Sequence, residues 1–499
     1  MRTFKSIFLS TSLLTISLLV GTACKNSEFL EVTPRSQGDS QTALTTAEGI
    51  DAAVNGIYDR LQSVVLYGRD MLAVSEALGD NAQFTNKSGR LANENRNIIN
   101  NTFGTATASA NGTGGTWAIA YFAINQANLI LDNIGNVTFS DTSQRNRLQG
   151  QAYFLRALLY HDLSRIYSYD PGVAVTGQDR GGVPLLTVGV ADQSKITFPA
   201  RAAVADVYKQ IYSDLQNAIQ LFSRSNPNAP AYGNLQAAQA LFSRVALYNK
   251  DYATAVKYAT DAISGSIKLS SNSSYIGGWR APQNPESLFE LQFIVSENIG
   301  VNTSLQTTYT TLVRSGDRSA TGGFGDLVPT TAFINDLESE KSSTGAVLDI
   351  RRQLYELGTT GRGTAFIECT KFLGKNGTIN LDNVPVIRVS ELYLNRAEAN
   401  YNLGNTADAL TDLNVIRQRC GLTAATLTGS AILTEIYRQE RLEYAFEGHR
   451  WFDLKRTGQN VVKAAAQGGG LAYTDNRILA PIPVNELSTN RNIVQNFGY

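Results

Sequence analysis

LYNKDYATAVKYATDAI, residues 247–263, reads as the end of one helix, a tight turn at Asn249-Lys250-Asp251 and the start of a second helix. Ala255 puts a small side chain where the two helices approach, Val256 follows it, and Ala262 lies seven positions beyond Ala255. YNLGNTADALTDLNVIR, residues 401–417, has the same layout: a turn at Gly404-Asn405, then Ala409, Leu410 and Ile416. Small residues at a crossing let antiparallel helices pack closely. Two such units in one chain predict a mostly helical fold built from stacked helix pairs.

The pairs at 234–263 and 390–419 follow the logic of tetratricopeptide repeats; an ordinary helical hairpin is the plainer alternative for each. Outward from them, Thr46 can cap a helix over 47–64 with Ile50, Val54, Ile57, Tyr58 and Leu61 on one face. Helical spacing returns at Trp117, Tyr121, Ile124, Leu129 and Ile134, and 151–170 is apolar almost all round, as a buried helix is. Val204, Val207, Tyr208, Ile211, Leu215, Ile219 and Phe222 complete another helical face. Residues 66–112 read as polar and loop-rich, ending in the low-complexity run 105–115. From 265 to 385 Gly, Ser, Thr and Asn dominate, with one strand-like alternation at 289–295 and a short helix at 331–340. Helices resume over 390–403, 407–419 and 432–447. The expected organisation is a helical region at 39–264 and a loop-rich region at 265–499 that holds the second pair.

Arg2 and Lys5 precede an apolar stretch at 7–20, and Gly21-Thr22-Ala23 leads into Cys24. That is the layout of a secretory signal whose cleavage residue is a cysteine, too short for the roughly 20 residues of a spanning helix. Residues 1–23 are then removed, Cys24 carries lipid that holds the protein to a membrane, and 24–38 forms an extended leader. The 499 residues carry 43 basic and 43 acidic side chains with no basic run, which excludes the electrostatic footprint of a nucleic-acid binder. Cys369 and Cys420 are the other cysteines and are expected to stay unbridged. His161 and His449 lie far apart, so neither a metal site nor another cofactor is expected.

The densest charge cluster, 438–456, holds Glu443 and Glu447, which could suggest a glycosidase acid pair. Four apart on one predicted helix, they share a side and cannot flank a bond; pairing with arginines is the simpler reading. The Gly-rich runs 112–115 and 468–470 lack the Lys-Ser/Thr ending of a phosphate loop. A binding site must therefore come from loops in which aromatic rings stand beside amides, carboxylates or guanidiniums. The candidates are Asp80, Asn81 and Phe84; Tyr275, Trp279 and Arg280 in YIGGWR; and Tyr309 and Arg314. Trp279, beside Gly277-Gly278, is expected as an outward indole platform, burial of the loop base being the alternative. Trp117 and Trp451 are expected in the core.

Several stretches together resemble the SusD/RagB family of outer-membrane nutrient-uptake lipoproteins. They are EFLEVTP (28–34), GQAYFLRALLYHDLSRIY with GGVPLLT (150–167, 181–187), ARAAVADVYKQIYSDLQNAI (200–219), VPVIRVSELYLNRAEA (384–399), IYRQERLEYAFEGHRWFDLKRTG (436–458) and LAPIPVNELSTNRNIVQNFGY (479–499). Arg491 and Phe497 stand where the family usually has prolines, Gly21 where lipoprotein signals usually have Leu, and Lys25 where surface-exported members favour an acid. The resemblance implies a SusD-like fold, repeat helices on one side and long loops on the other. It implies binding rather than catalysis: an oligomeric nutrient, most often a glycan. It also implies a partner, a SusC-like TonB-dependent outer-membrane β-barrel transporter over which the lipoprotein sits as a lid at the cell surface. A secreted glycoside hydrolase or a repeat-type adaptor for proteins are the competing readings.

Overall fold

In a computed structural model the described residues are 43–97 and 115–499. The signal segment, Cys24 and the leader lie outside them, as does 98–114.

Thr46 starts the first helix as its sequence suggests: its hydroxyl accepts the Gly49 N–H, and α1 (Ala47–Leu61) buries Ile50, Val54, Ile57, Tyr58 and Leu61. The following stretch, expected as loop, instead contains α2 (Asp70–Leu78), all of whose residues are buried. A helix enclosed on every side has no amphipathic period, and this one has no side-chain cap, so neither usual signal marks it. Next come α3 (Gly115–Asn133) and α4 (Thr142–Tyr167), the latter capped by Asp141 and buried almost without break from Leu148 onward. After α5 (Val204–Phe222) the first pair follows, α6 (Leu235–Tyr248) and α7 (Tyr252–Ser264), capped by Asn234 and Asp251. The second pair is α8 (Val389–Asn402) and α9 (Thr406–Arg419), followed by α10 (Ser430–Glu443) and α11 (Arg450–Arg456). Lys250 and Gly404 take left-handed φ of 58° and 86°, which closes the two turns tightly.

The small residues do what their spacing predicts. Ala246, Leu247, Ala255 and Ala399 form one buried cluster, so the pairs meet through alanines, and α7 packs on α8. The Ser243 hydroxyl donates to the Ala255 carbonyl at 3.0 Å, a backbone approach that a larger neighbour would block.

Between the pairs the chain builds short strands: β1 (Ala82–Phe84), β2 (Ser287–Leu291), β3 (Leu312–Arg314), β4 (Asp317–Thr321), β5 (Leu327–Pro329), β6 (Tyr355–Leu357), β7 (Ile367–Cys369) and β8 (Val384–Arg388). They join as antiparallel pairs, β1 with β5, β2 with β8, β3 with β4 and β6 with β7. The strand expected at 289–295 thus begins earlier and stops at Leu291, and the helix expected to 340 stops at Leu337. The helix expected to 447 ends at Glu443, because Phe446 and Gly448 take positive φ of 66° and 86°.

Residues Leu44–Tyr499 form one compact unit whose early and late segments interlock. Ala480 N–H donates to the Ile166 carbonyl, Phe84 N–H to the Gln467 side chain at 2.9 Å, and Lys463 Nζ to the Ala77 and Asn95 carbonyls. Lys455, itself buried, lies 3.3 Å from buried Asp170.

Candidate ligand-binding site

The charge cluster near the carboxy terminus is a sealed network. Arg388 reaches Glu286 at 3.0 Å, Glu443 at 3.1 Å and Glu447 at 2.7 Å, while Arg419 meets Glu443 at 2.6 Å and Lys371 meets Glu447 at 2.6 Å. Burial works against the Glu443 charge, yet Arg419, Arg388 and Arg351 together hold its carboxyl far below the usual range. Both candidate acids are therefore tied to arginine or lysine inside the core.

Trp279 forms the lid of that network. Ser271 caps the short helix Asn272–Gly278, which sets Tyr275 and Trp279 four residues apart on its inner side. The indole lies 5.0 Å from Lys371 Nζ and 5.2 Å from Arg388, and meets Phe372 edge-on at 6.0 Å; the Tyr275 ring lies 4.1 Å from Arg419. At 8% exposure the expected outward platform is absent, and the ring is packing. Of the two glycines beside it, Gly278 serves close approach instead, since a Cβ there would press on Pro285 at 3.0 Å, whereas one on Gly277 would meet open space.

The other expected residues divide in the same way. Tyr309 is fully buried, 5.0 Å edge-on from Phe446, and Phe84 is buried within β1. Asn81 is enclosed and accepts from Arg441 Nε at 2.7 Å. Asp80 is locked to Arg450 at 2.6 Å, a bond that outweighs burial and keeps its pKa below the ordinary value. Arg280 turns partly to solvent and donates to the Thr370 hydroxyl at 2.9 Å. Arg314, at the end of β3, is exposed. The cleft between Arg280 and Lys375 offers about 30 Å³ of water-accessible space. At roughly 10–15 Å³ per water, that is enclosed space for two or three waters.

An aromatic with solvent access does stand on the loops, at a position the sequence did not single out. Phe324 is half-buried, with the Arg90 guanidinium 4.3 Å and the Arg362 guanidinium 3.9 Å from its ring centre. Arg90 is anchored on the buried Asp326 and on the Asn302 carbonyl. Arg362 donates through Nε to the Gly323 carbonyl at 2.9 Å, and Arg318 through Nε to the Gly358 carbonyl at 2.9 Å. The Thr321 and Thr359 hydroxyls, 2.6 Å apart, join the two hairpins that carry Arg318 and Arg362. Beneath them the buried Glu368 accepts from the Thr310 and Thr311 hydroxyls and lies 3.3 Å from Lys87. Burial lowers the Arg90 pKa, with Asp326 opposing and the positive Arg69 and Arg362 adding to the fall. The only sequence signal was an aromatic inside the glycine-rich run TGGFGD, residues 321–326. Its two arginine partners, Arg90 and Arg362, come from separate segments.

Among the described residues, no group of three or more His, Cys, Asp or Glu side chains could hold a metal, and no helix is long and apolar enough to cross a membrane.

Comparison with known proteins gives concordant matches. A family model described as "Starch-binding associating with outer membrane" matches residues 28–247, and a model of the SusD family matches 359–499. A SusD-like protein of Formosa agariphila is 24% identical over 494 residues, covering 91% of this chain and 92% of that protein. The starch-binding protein SusD of Bacteroides thetaiotaomicron is 35% identical over 127 residues, 23% of this chain and 22% of that one. A crystal structure of a SusD superfamily protein from Bacteroides thetaiotaomicron superposes with a TM-score of 0.76 at 27% identity, covering 90% of this chain and 99% of the other. With both family models and the superposition in agreement, this chain belongs to the SusD/RagB family.

Proposed function

We propose that this protein is a lipid-anchored outer-membrane subunit that captures an oligosaccharide on the loops around Phe324 and delivers it to a SusC-like TonB-dependent transporter, over which it sits as a lid. The observation that carries the reading is the Phe324 site itself: a half-buried ring with the Arg90 and Arg362 guanidiniums held over it from separate loops. Such a site fixes guanidinium donors for hydroxyls around an aromatic centre. The starch-binding name of one relative and the outer-membrane description of one matching family support the same ligand class and place. Binding without turnover is supported by the acids nearby. Asp326 is engaged by Ser88 and Arg90, and Glu368 by two threonines and Lys87, which leaves neither carboxyl directed at a substrate. The repeat pairs supply the surface for the transporter.

The test is calorimetric titration against a panel of oligosaccharides, with Phe324→Ala as the control, alongside purification from membranes. Saturable binding in the micromolar to millimolar range (about −8 to −4 kcal/mol), lost in Phe324→Ala, and recovery of a β-barrel partner disrupted by charge reversals on the repeat helices are expected. Release of shortened sugars from the panel would replace this reading with the hydrolase.

A further inference from the structure

We infer that the oligosaccharide taken at the Phe324 site is anionic, carrying carboxylate or sulfate groups; this rests on the proposed glycan-binding role. The protein's buried arginines are matched to acids: Arg156 with Asp214, Arg244 with Glu391, Arg388 with three glutamates and Arg456 with Glu398 and Glu440. Arg314, Arg318 and Arg362 differ. All three are exposed, and none lies within ion-pair distance of an acid among the described residues. Arg318 and Arg362 each have only Nε engaged, on the carbonyls of Gly358 and Gly323, which leaves the two terminal nitrogens of each fork without a protein partner among the described residues.

That arrangement fits an anion. A guanidinium edge presents two parallel N–H groups that match a carboxylate or sulfate bidentately, and a side chain already pinned at Nε loses less freedom on binding. The nearby acids leave two forks open. Asp326 and Glu368 are buried and engaged from within, and Glu356 accepts from the Ser315 hydroxyl and the Gly316 amide. Asp317, folded onto the Ser319 amide at 2.9 Å and its hydroxyl, stands opposite Arg314 in register, so the forks without an acid are those of Arg318 and Arg362. Two forks left open on joined hairpins offer a ligand carrying repeated negative charge bidentate partners that a neutral sugar does not use.

The discriminating experiment titrates the full mature protein with size-matched oligogalacturonates, sulfated carrageenan oligosaccharides and neutral malto-oligosaccharides, at low and at 0.5 M salt, for wild type, Arg318→Gln and Arg362→Gln. Because both arginines are exposed, thermal melts of the variants should coincide with wild type. One charged set is expected to bind, roughly tenfold or more weaker in each variant and weaker again in high salt, with little binding of the neutral set. Which set binds, carboxylate or sulfate, identifies the anion. Neutral oligosaccharides bound as tightly as the charged ones, indifferent to salt and to both substitutions, would overturn the anionic ligand and leave the glycan-binding role standing. Binding of none of the three would overturn both.

Discussion

Trp279 covers two buried cations, and its contribution is therefore to stability. Trp279→Ala opens a cavity above Lys371 and Arg388, and a loss of about 3–5 kcal/mol in denaturant unfolding is expected, with oligosaccharide affinity unchanged. Glu76, in α2, is a second residue whose burial has a measurable consequence. Neither of its carboxyl oxygens makes a well-formed hydrogen bond, although the Phe446 and Gly448 amides lie close, and burial pushes its pKa up to about 8. Unfolded, it titrates near about 4.3. Between those values the folded protein retains a proton that the unfolded chain has released, so stability falls as pH rises through that window. Glu443 acts in the opposite sense: its depressed folded pKa gives stability above the unfolded value that is lost in acid. Glu76→Gln should flatten the decline between about pH 5 and pH 8, as read from denaturation curves at several pH values. The sequence shows Thr46 as a cap because the hydrogen bond is local. It could not show which way Trp279 faces, since the side chains that enclose it, Lys371, Phe372 and Arg388, lie about a hundred residues along.

Among the elements, the helix pairs were the most legible, because the turn, the alanine and the helical period all lie within one short window. The same tight crossing makes them sensitive to added volume. Ala255→Leu inserts a branched side chain where Ala246 and Ala399 meet it, and a loss of roughly 1–3 kcal/mol is expected from thermal unfolding, with ligand affinity retained. Helix α2 and most of the short strands were not legible: the former is buried on all faces with Asp70, Ser75 and Glu76 breaking its apolar run, and the latter are only three to five residues long, some with partners remote in sequence, as β1 with β5. The Phe324 site belongs to this illegible class. Its ring and its arginines are each unremarkable locally and come from separate stretches: Arg362 from a hairpin joined to its neighbour at Thr321 and Thr359, Arg90 from an earlier segment anchored on Asp326 and Asn302.

For the whole molecule, the proposed membrane attachment rests on Cys24, which lies outside the described residues. Cys24→Ala is expected to move the protein from the membrane fraction to the soluble one, and unmodified Cys24 in the mature protein, found by mass spectrometry, would contradict the anchor. The interlock of early and late segments has a different consequence. Asp80 and Asp170 find their counter-charges on Arg450 and Lys455, and helix α4 receives a backbone hydrogen bond from Ala480. A chain cut short before residue 450 leaves those acids stranded in the interior, where an unpaired charge costs several kcal/mol. The amino-terminal helices thus depend on the last fifty residues for their buried charges, so folding waits on the end of the chain.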